Sequence, residues 1–102
     1  MNLKLPAIHP GEILADEINE LGISPSALAN AIGVPVNRIT QILRGQRGIT
    51  ADTALRLGRW FGSGAEIWLN LQKDYDLKTT EISIRDLLRN INVRSEFTRE
   101  VS

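Results

Sequence analysis

The chain has 102 residues, enough for one domain with a single core, and its 12 basic and 12 acidic side chains cancel to a formal net charge of zero. That balance excludes a binder that relies on bulk positive charge, and the absence of cysteine excludes a disulfide framework and a thiolate metal site, in keeping with a reducing compartment. The opening MNLKLPAIHPGE lacks the apolar run of a secretory signal, and no stretch approaches the roughly 20 apolar residues of a membrane span, so a soluble, cytoplasmic chain without membrane contact is expected.

Pro10 and Glu12 suit the first turn of a helix, in which Ile13, Leu14, Glu17, Ile18 and Leu21 recur at helical spacing until Gly22. Glu12, Asp16, Glu17 and Glu20 on this helix read as a solvated face rather than a metal or acid–base site. His9, the one histidine, sits beside Pro10 and reads as a turn or packing residue. Ser24 can cap a second helix with Pro25 at its first position; Leu28, Ala29 and Ile32 share one face, and Gly33 ends it. Val34 and Pro35 lead into a third segment, where Val36, Ile39, Ile42 and Leu43 form a stripe that Gly45 stops. Two short helices across a tight glycine turn are the outline of a helix-turn-helix, and small Ala29 permits the close crossing this motif requires.

The opposite face of the third helix decides the chemistry. Asn37, Thr40, Gln41 and Arg44 follow one another at three- and four-residue steps away from the core stripe. Asn and Gln pair with adenine, Arg with guanine, and Thr with thymine, while Val36 could touch a thymine methyl, so double-stranded DNA is the expected partner. Charge placement agrees, since no Asp or Glu occurs between Leu21 and Ala51, whereas Arg38, Arg44 and Arg47 lie there and Arg56 and Arg59 follow. Local positive charge of this kind neutralises phosphates. Because the total is modest, strong binding is expected to need two copies on one duplex.

Thr50 caps a fourth helix in which Ala54, Leu55, Leu57 and Phe61 point inward, with Gly62 at its end; the loop Gly45-Gln46-Arg47-Gly48 before it can reach a DNA backbone. Ser63 with Glu66 reads as a capping box for a fifth helix carrying Ile67, Trp68, Leu71 and Tyr75. Trp68 and Leu71 complete the core, whereas Tyr75 and Leu77 suit a subunit interface. Ser83 and Asp86 suggest a further cap, and Ile84, Leu87, Leu88 and Ile91 repeat at i, i+3, i+4 and i+7, which predicts a short amphipathic helix at about 84–91. Its stripe could join a dimer interface, fold back on its own domain, or lie in a groove of a partner protein. Residues from Arg94 to Ser102 carry no core pattern and are expected to fray.

Five helices in this order, the third reading DNA, resemble the phage-repressor-like, or Xre-type, domain: an all-α fold, here with an additional C-terminal helix. HPGEIL at His9 to Leu14, LGIS at Leu21 to Ser24, ITADTALRL at Ile49 to Leu57 and WLNLQKDYDL at Trp68 to Leu77 more closely resemble the HigA-type antitoxins, over about residues 7–78. The resemblance implies a helix-turn-helix domain over 1–78, and the residues after it, 79–102, read on their own as an extension. It implies base contacts from Val36, Asn37, Thr40, Gln41 and Arg44, backbone contacts near Ser24, Ser26, Arg38 and Arg47, and a homodimer on its operator. It also implies neutralisation of a small RelE-like endoribonuclease toxin, with no cofactor. Pro35 departs from the family pattern, because proline supplies no side-chain cap and the third helix must start on packing alone.

An enzyme is disfavoured: no HExxH, phosphate loop or dinucleotide glycine pattern occurs, and no nucleophile triad assembles around His9. A stand-alone repressor is the alternative among DNA binders, but it usually carries a sensor domain, for which this chain has no room.

Overall fold

Helix starts and stops follow the local chemistry. In the computed structural model, which describes residues 7–94, Ser24 Oγ accepts from the Ala27 N–H at 3.1 Å and Thr50 Oγ1 from the Thr53 N–H at 3.4 Å. The glycine exits expected at Gly22, Gly33 and Gly62 are present. The described residues form six helices and no strand: α1 (Pro10–Leu21), α2 (Pro25–Ile32), α3 (Val36–Leu43), α4 (Ala51–Phe61), α5 (Glu66–Ser83) and α6 (Arg85–Leu88). None is long and apolar enough to cross a membrane.

One core joins the first five. Leu14 and Ile18 of α1 meet Leu28, Ala29 and Ile32 of α2, Ile39 and Ile42 of α3, Ala54 and Leu57 of α4, and Trp68 of α5, with Ile49 entering from the preceding loop. Helix α3 has eight residues and no side-chain cap at Pro35, and a helix that short does not persist alone in water. Burial holds it in place: Ile39 and Ile42 are fully buried, each contributing roughly 1.5–3 kcal/mol. Ala29 is buried within this core.

Three local expectations are corrected. Leu55 is exposed rather than inward, because it lies one residue, about 100°, off the stripe of Ala54, Leu57 and Phe61; Thr53 takes the buried place instead. Ser63 does not cap α5. The helix starts after Ala65 without a side-chain cap, and the Ser63 hydroxyl donates to the Gly64 carbonyl at 3.0 Å. That start is set by backbone contact with α4, since a Cβ on Gly58 would overlap the Gly64 carbonyl and stand 2.6 Å from the Ala65 nitrogen. Ser83 is the last residue of α5, so it forms no capping pair with Asp86, which instead takes Arg89 at 2.9 Å.

Helix α5 runs unbroken through residue 78, the expected boundary between domain and extension. Its C-terminal half and α6 extend a shape of 55 × 24 × 21 Å. The helix expected at 84–91 occurs as the single turn α6, and Ile84 is half-buried while Leu87, Leu88 and Ile91 are exposed. The stripe is therefore not covered by its own domain. Of the tail expected to fray, Arg94 is described and 95–102 lie outside the described residues.

Candidate nucleic-acid interface

The outward face of α3 carries the side chains expected there. Val36 and Asn37 are exposed, Thr40 and Gln41 half-buried, and Arg44 is exposed as the C-cap residue. The Thr40 hydroxyl donates to the Asn37 carbonyl at 3.4 Å, a long local bond that an outside acceptor can replace. Beyond α3 the chain turns sharply: the Arg44 N–H returns to the Thr40 carbonyl at 3.1 Å and the Gln46 N–H to the Gln41 carbonyl at 2.8 Å. Arg47 stands exposed in this loop, and among the described residues neither Arg44 nor Arg47 is paired with a carboxylate.

Contacts that sequence reasoning missed mount this face on the core. His9 Nδ1 accepts from the Gly11 N–H at 2.9 Å, and Glu12 Oε2 accepts from the His9 N–H at 3.3 Å, so His9 and Glu12 together start α1. A Cβ on Gly11 would overlap the Ile42 carbonyl oxygen and lie 2.8 Å from its carbon. Only glycine lets α1 seat against the last turn of α3. The HPGE stretch is thus a mount for α3, and the buried His9 is the turn and packing residue expected.

The loop after α3 is tied down from α5. Gln72 Oε1 accepts from the Ile49 N–H at 2.7 Å while its amide donates to Asp76 at 3.0 Å. Gly48 lies under the same side chain, where an added Cβ would stand 3.0 Å from Gln72 Oε1. One turn further, Tyr75 meets His9 edge-to-face with ring centroids 4.9 Å apart. Tyr75, expected at a subunit interface, is half-buried, with its ring against His9 of its own chain. Leu77 is exposed and, with Thr80, Glu81, Ile84 and Leu88, lines an apolar groove.

The expected backbone-contact residues divide. Ser26 and Arg47 are exposed, and Ser24 is exposed while capping α2. Arg38 Nη1 instead donates to Asp52 Oδ1 at 2.8 Å. Arg56, counted in the positive surface, also turns inward: its Nε donates to the same oxygen at 2.7 Å and its Nη1 to the carbonyls of Ile32 at 2.8 Å and Gly33 at 3.3 Å. It closes the end of α2, where Gly33 holds a φ of 74° to make the turn into α3. The Arg56 guanidinium, and after it that of Arg38, holds the Asp52 carboxyl below the usual aspartate range. Asp16, Glu17 and Glu20 of α1 are exposed, and among the described residues no group of His, Asp and Glu could hold a metal ion.

Residues 14–66 match the helix-turn-helix family HTH_3. The chain is 58% identical over 79 residues to virulence-associated protein I of Dichelobacter nodosus, which spans 76% of this chain and 73% of that protein. Its fold is similar to that of an addiction module antidote protein of the HigA family from Coxiella burnetii, with a TM-score of 0.85 and 44% identity over 88% of this chain and 100% of that one. It is similar too to the Pseudomonas aeruginosa antitoxin HigA solved with the higBA promoter, with a TM-score of 0.82 and 46% identity over 85% of this chain and 97% of that one.

Proposed function

From the premise that this chain belongs to the helix-turn-helix family HTH_3 and, within it, to the HigA-type antitoxins, we propose that it is an autorepressing antitoxin: a cytoplasmic homodimer that binds operator DNA and neutralises a small RelE-like endoribonuclease. This family consists of DNA-binding regulators and antidotes, not enzymes. The observation that carries the reading is the outward face of α3, where Val36, Asn37, Thr40, Gln41 and Arg44 lie off the core stripe on a helix that has no carboxylate of its own. Those five would read base edges in the major groove, while Ser24, Ser26, Arg38 and Arg47 hold phosphates on either side.

Two-fold pairing would place two such helices about 34 Å apart on a near-palindromic site. The exposed apolar residues Leu77, Leu87, Leu88 and Ile91, with the half-buried Ile84 and Tyr75, would supply the surface for that pairing. Residues 79–102 would then be an assembly extension of a DNA-binding unit over 1–78. The test is co-expression with each adjacent small open reading frame, scored by growth and co-purification, together with footprinting on the chain's own upstream region. A neighbour that is toxic alone, harmless with this chain and co-purified with it supports the antitoxin. Protection of the upstream region without any toxic neighbour would leave a stand-alone repressor.

A further inference from the structure

Arg38 is the arginine of α3 that the base-reading face leaves over. It follows Asn37 by one position, about 100° around the helix, and so lies on the flank. Its side chain is 28% exposed, and its guanidinium rests on Asp52 in the first turn of α4, whose side chain is 55% exposed. The same carboxylate oxygen takes Arg56, yet the two arginines are not equivalent. Arg56 is anchored twice more, on the carbonyls of Ile32 and Gly33. Among the described residues the Arg38 side chain bonds Asp52 alone. Of the two cations on this carboxylate, Arg38 is the one free to leave.

We propose that Asp52 is an internal stand-in for a DNA phosphate: it holds Arg38 in the free protein, and on binding the guanidinium exchanges this carboxylate for a backbone phosphate. The inference rests on the DNA-binding reading given above. Carboxylate and phosphate are the two oxyanions whose acceptors match the planar guanidinium fork. A pair this exposed is weak, so an approaching phosphate can displace it. Arg56 stays on Asp52 after the exchange, so no bare carboxylate is left facing the phosphates. Since Arg38 touches no base in this arrangement, the exchange lowers affinity for every duplex by one factor. Asp52 is then a brake on sequence-independent binding, acting through Arg38.

The test is a double-mutant cycle read by fluorescence anisotropy on a mixed-sequence duplex over a salt series, with thermal melts to verify folding. Asp52→Asn keeps an acceptor for Arg56 while removing the charge, and it should tighten binding about two- to fivefold at low salt. Arg38→Gln should reduce the slope of log K against log salt by about 0.9, the loss of one phosphate contact. In the Arg38→Gln background, Asp52→Asn should add little. The proposal is overturned if Asp52→Asn binds no tighter, or if it gains equally in both backgrounds, which is the general effect of one fewer negative charge. It is also overturned if Arg38→Gln keeps the wild-type slope, a result that decides the matter even if Asp52→Asn does not fold. A wild-type chain that binds no duplex sinks the DNA-binding reading and this one with it, whereas wild-type binding with unresponsive variants sinks this one alone.

Discussion

Gly11→Ala tests whether the HPGE stretch positions the recognition helix. The added methyl overlaps the Ile42 carbonyl oxygen, sits 2.8 Å from its carbon and 3.1 Å from His9 Nδ1. Contacts of a Cβ below 3.0 Å are essentially never found, so α1 or the last turn of α3 must move, and the obstacle is backbone that cannot rotate away. Overpacking of this kind costs about 1–3 kcal/mol. Alanine's helix propensity returns at most about 1 kcal/mol, and less at this first-turn position. The net loss of up to about 2–3 kcal/mol corresponds to a fall in Tm of roughly 10–20 °C for a domain this size. The second readout is affinity for the upstream duplex, which should fall by more than the unfolded fraction explains, because the displaced group belongs to the helix that carries Gln41 and Arg44. Ala15→Gly on the same helix is the control: it lowers Tm through propensity, about 1 kcal/mol, and leaves the affinity of the folded fraction alone. A Gly11→Ala chain with wild-type Tm and wild-type DNA affinity would refute the reasoning.

Four further outcomes are expected. Gln72→Leu strands the part-buried Ile49 N–H, so urea denaturation should show a loss of about 1–3 kcal/mol and hydrogen exchange should quicken at Ile49; unchanged protection there would mean that the bond does not hold the loop. Arg44→Ala should cost about 1–3 kcal/mol at the operator and relax preference at one base pair, whereas an even loss across all sequences makes Arg44 a phosphate contact. The Asp52 carboxyl should titrate below the usual aspartate range, followed by carbon-13 NMR, with its ion pairs present above that range and lost as pH falls through the lowered value. Arg56→Gln should raise this midpoint more than Arg38→Gln, and the reverse order would contradict the hydrogen-bond assignment. Leu87→Glu combined with Ile91→Glu should yield a folded monomer by sedimentation, since both side chains are exposed; a persisting dimer would place the interface elsewhere.

Features governed by neighbours in the chain were legible in the sequence. Ser24 and Thr50 cap, Gly33 turns, and the period of Ile39 and Ile42 fixes which face of α3 is free, because each depends on residues within one or two helical turns. Leu55 is exposed against expectation because a leucine beside a stripe looks the same in sequence as one within it, and only the neighbouring helices decide. Ser63 and Glu66 have the spacing of a capping box, but with Gly58 packed against Gly64 the helix starts two residues later, with Ala65 in the N-cap position. What holds the site together joins residues far apart: Gly11 to Ile42, Gln72 to Ile49, Tyr75 to His9, Arg38 to Asp52. Their residue types have many ordinary uses, and no local pattern separates these from the rest.

Two of these contacts, those of Gln72 and Tyr75, start from one helix, which also carries the core residue Trp68. Trp68, Gln72 and Tyr75 follow one another at four- and three-residue steps along α5, about 10 Å in all, and they touch the core, the loop after α3 and the cap of α1 in turn. From Leu77 onward the same helix presents the exposed apolar surface. A continuous helix passes rotation and tilt along its length, so whatever seats that surface also fixes where Gln72 and Tyr75 stand, and through them the last turn of α3. In a two-fold dimer formed through this arm, the spacing of the half-sites and the posture of each recognition helix are then set by one rigid element. In such a dimer, bending α5 between Tyr75 and Leu77 would disturb the pairing surface and the seating of α3 together.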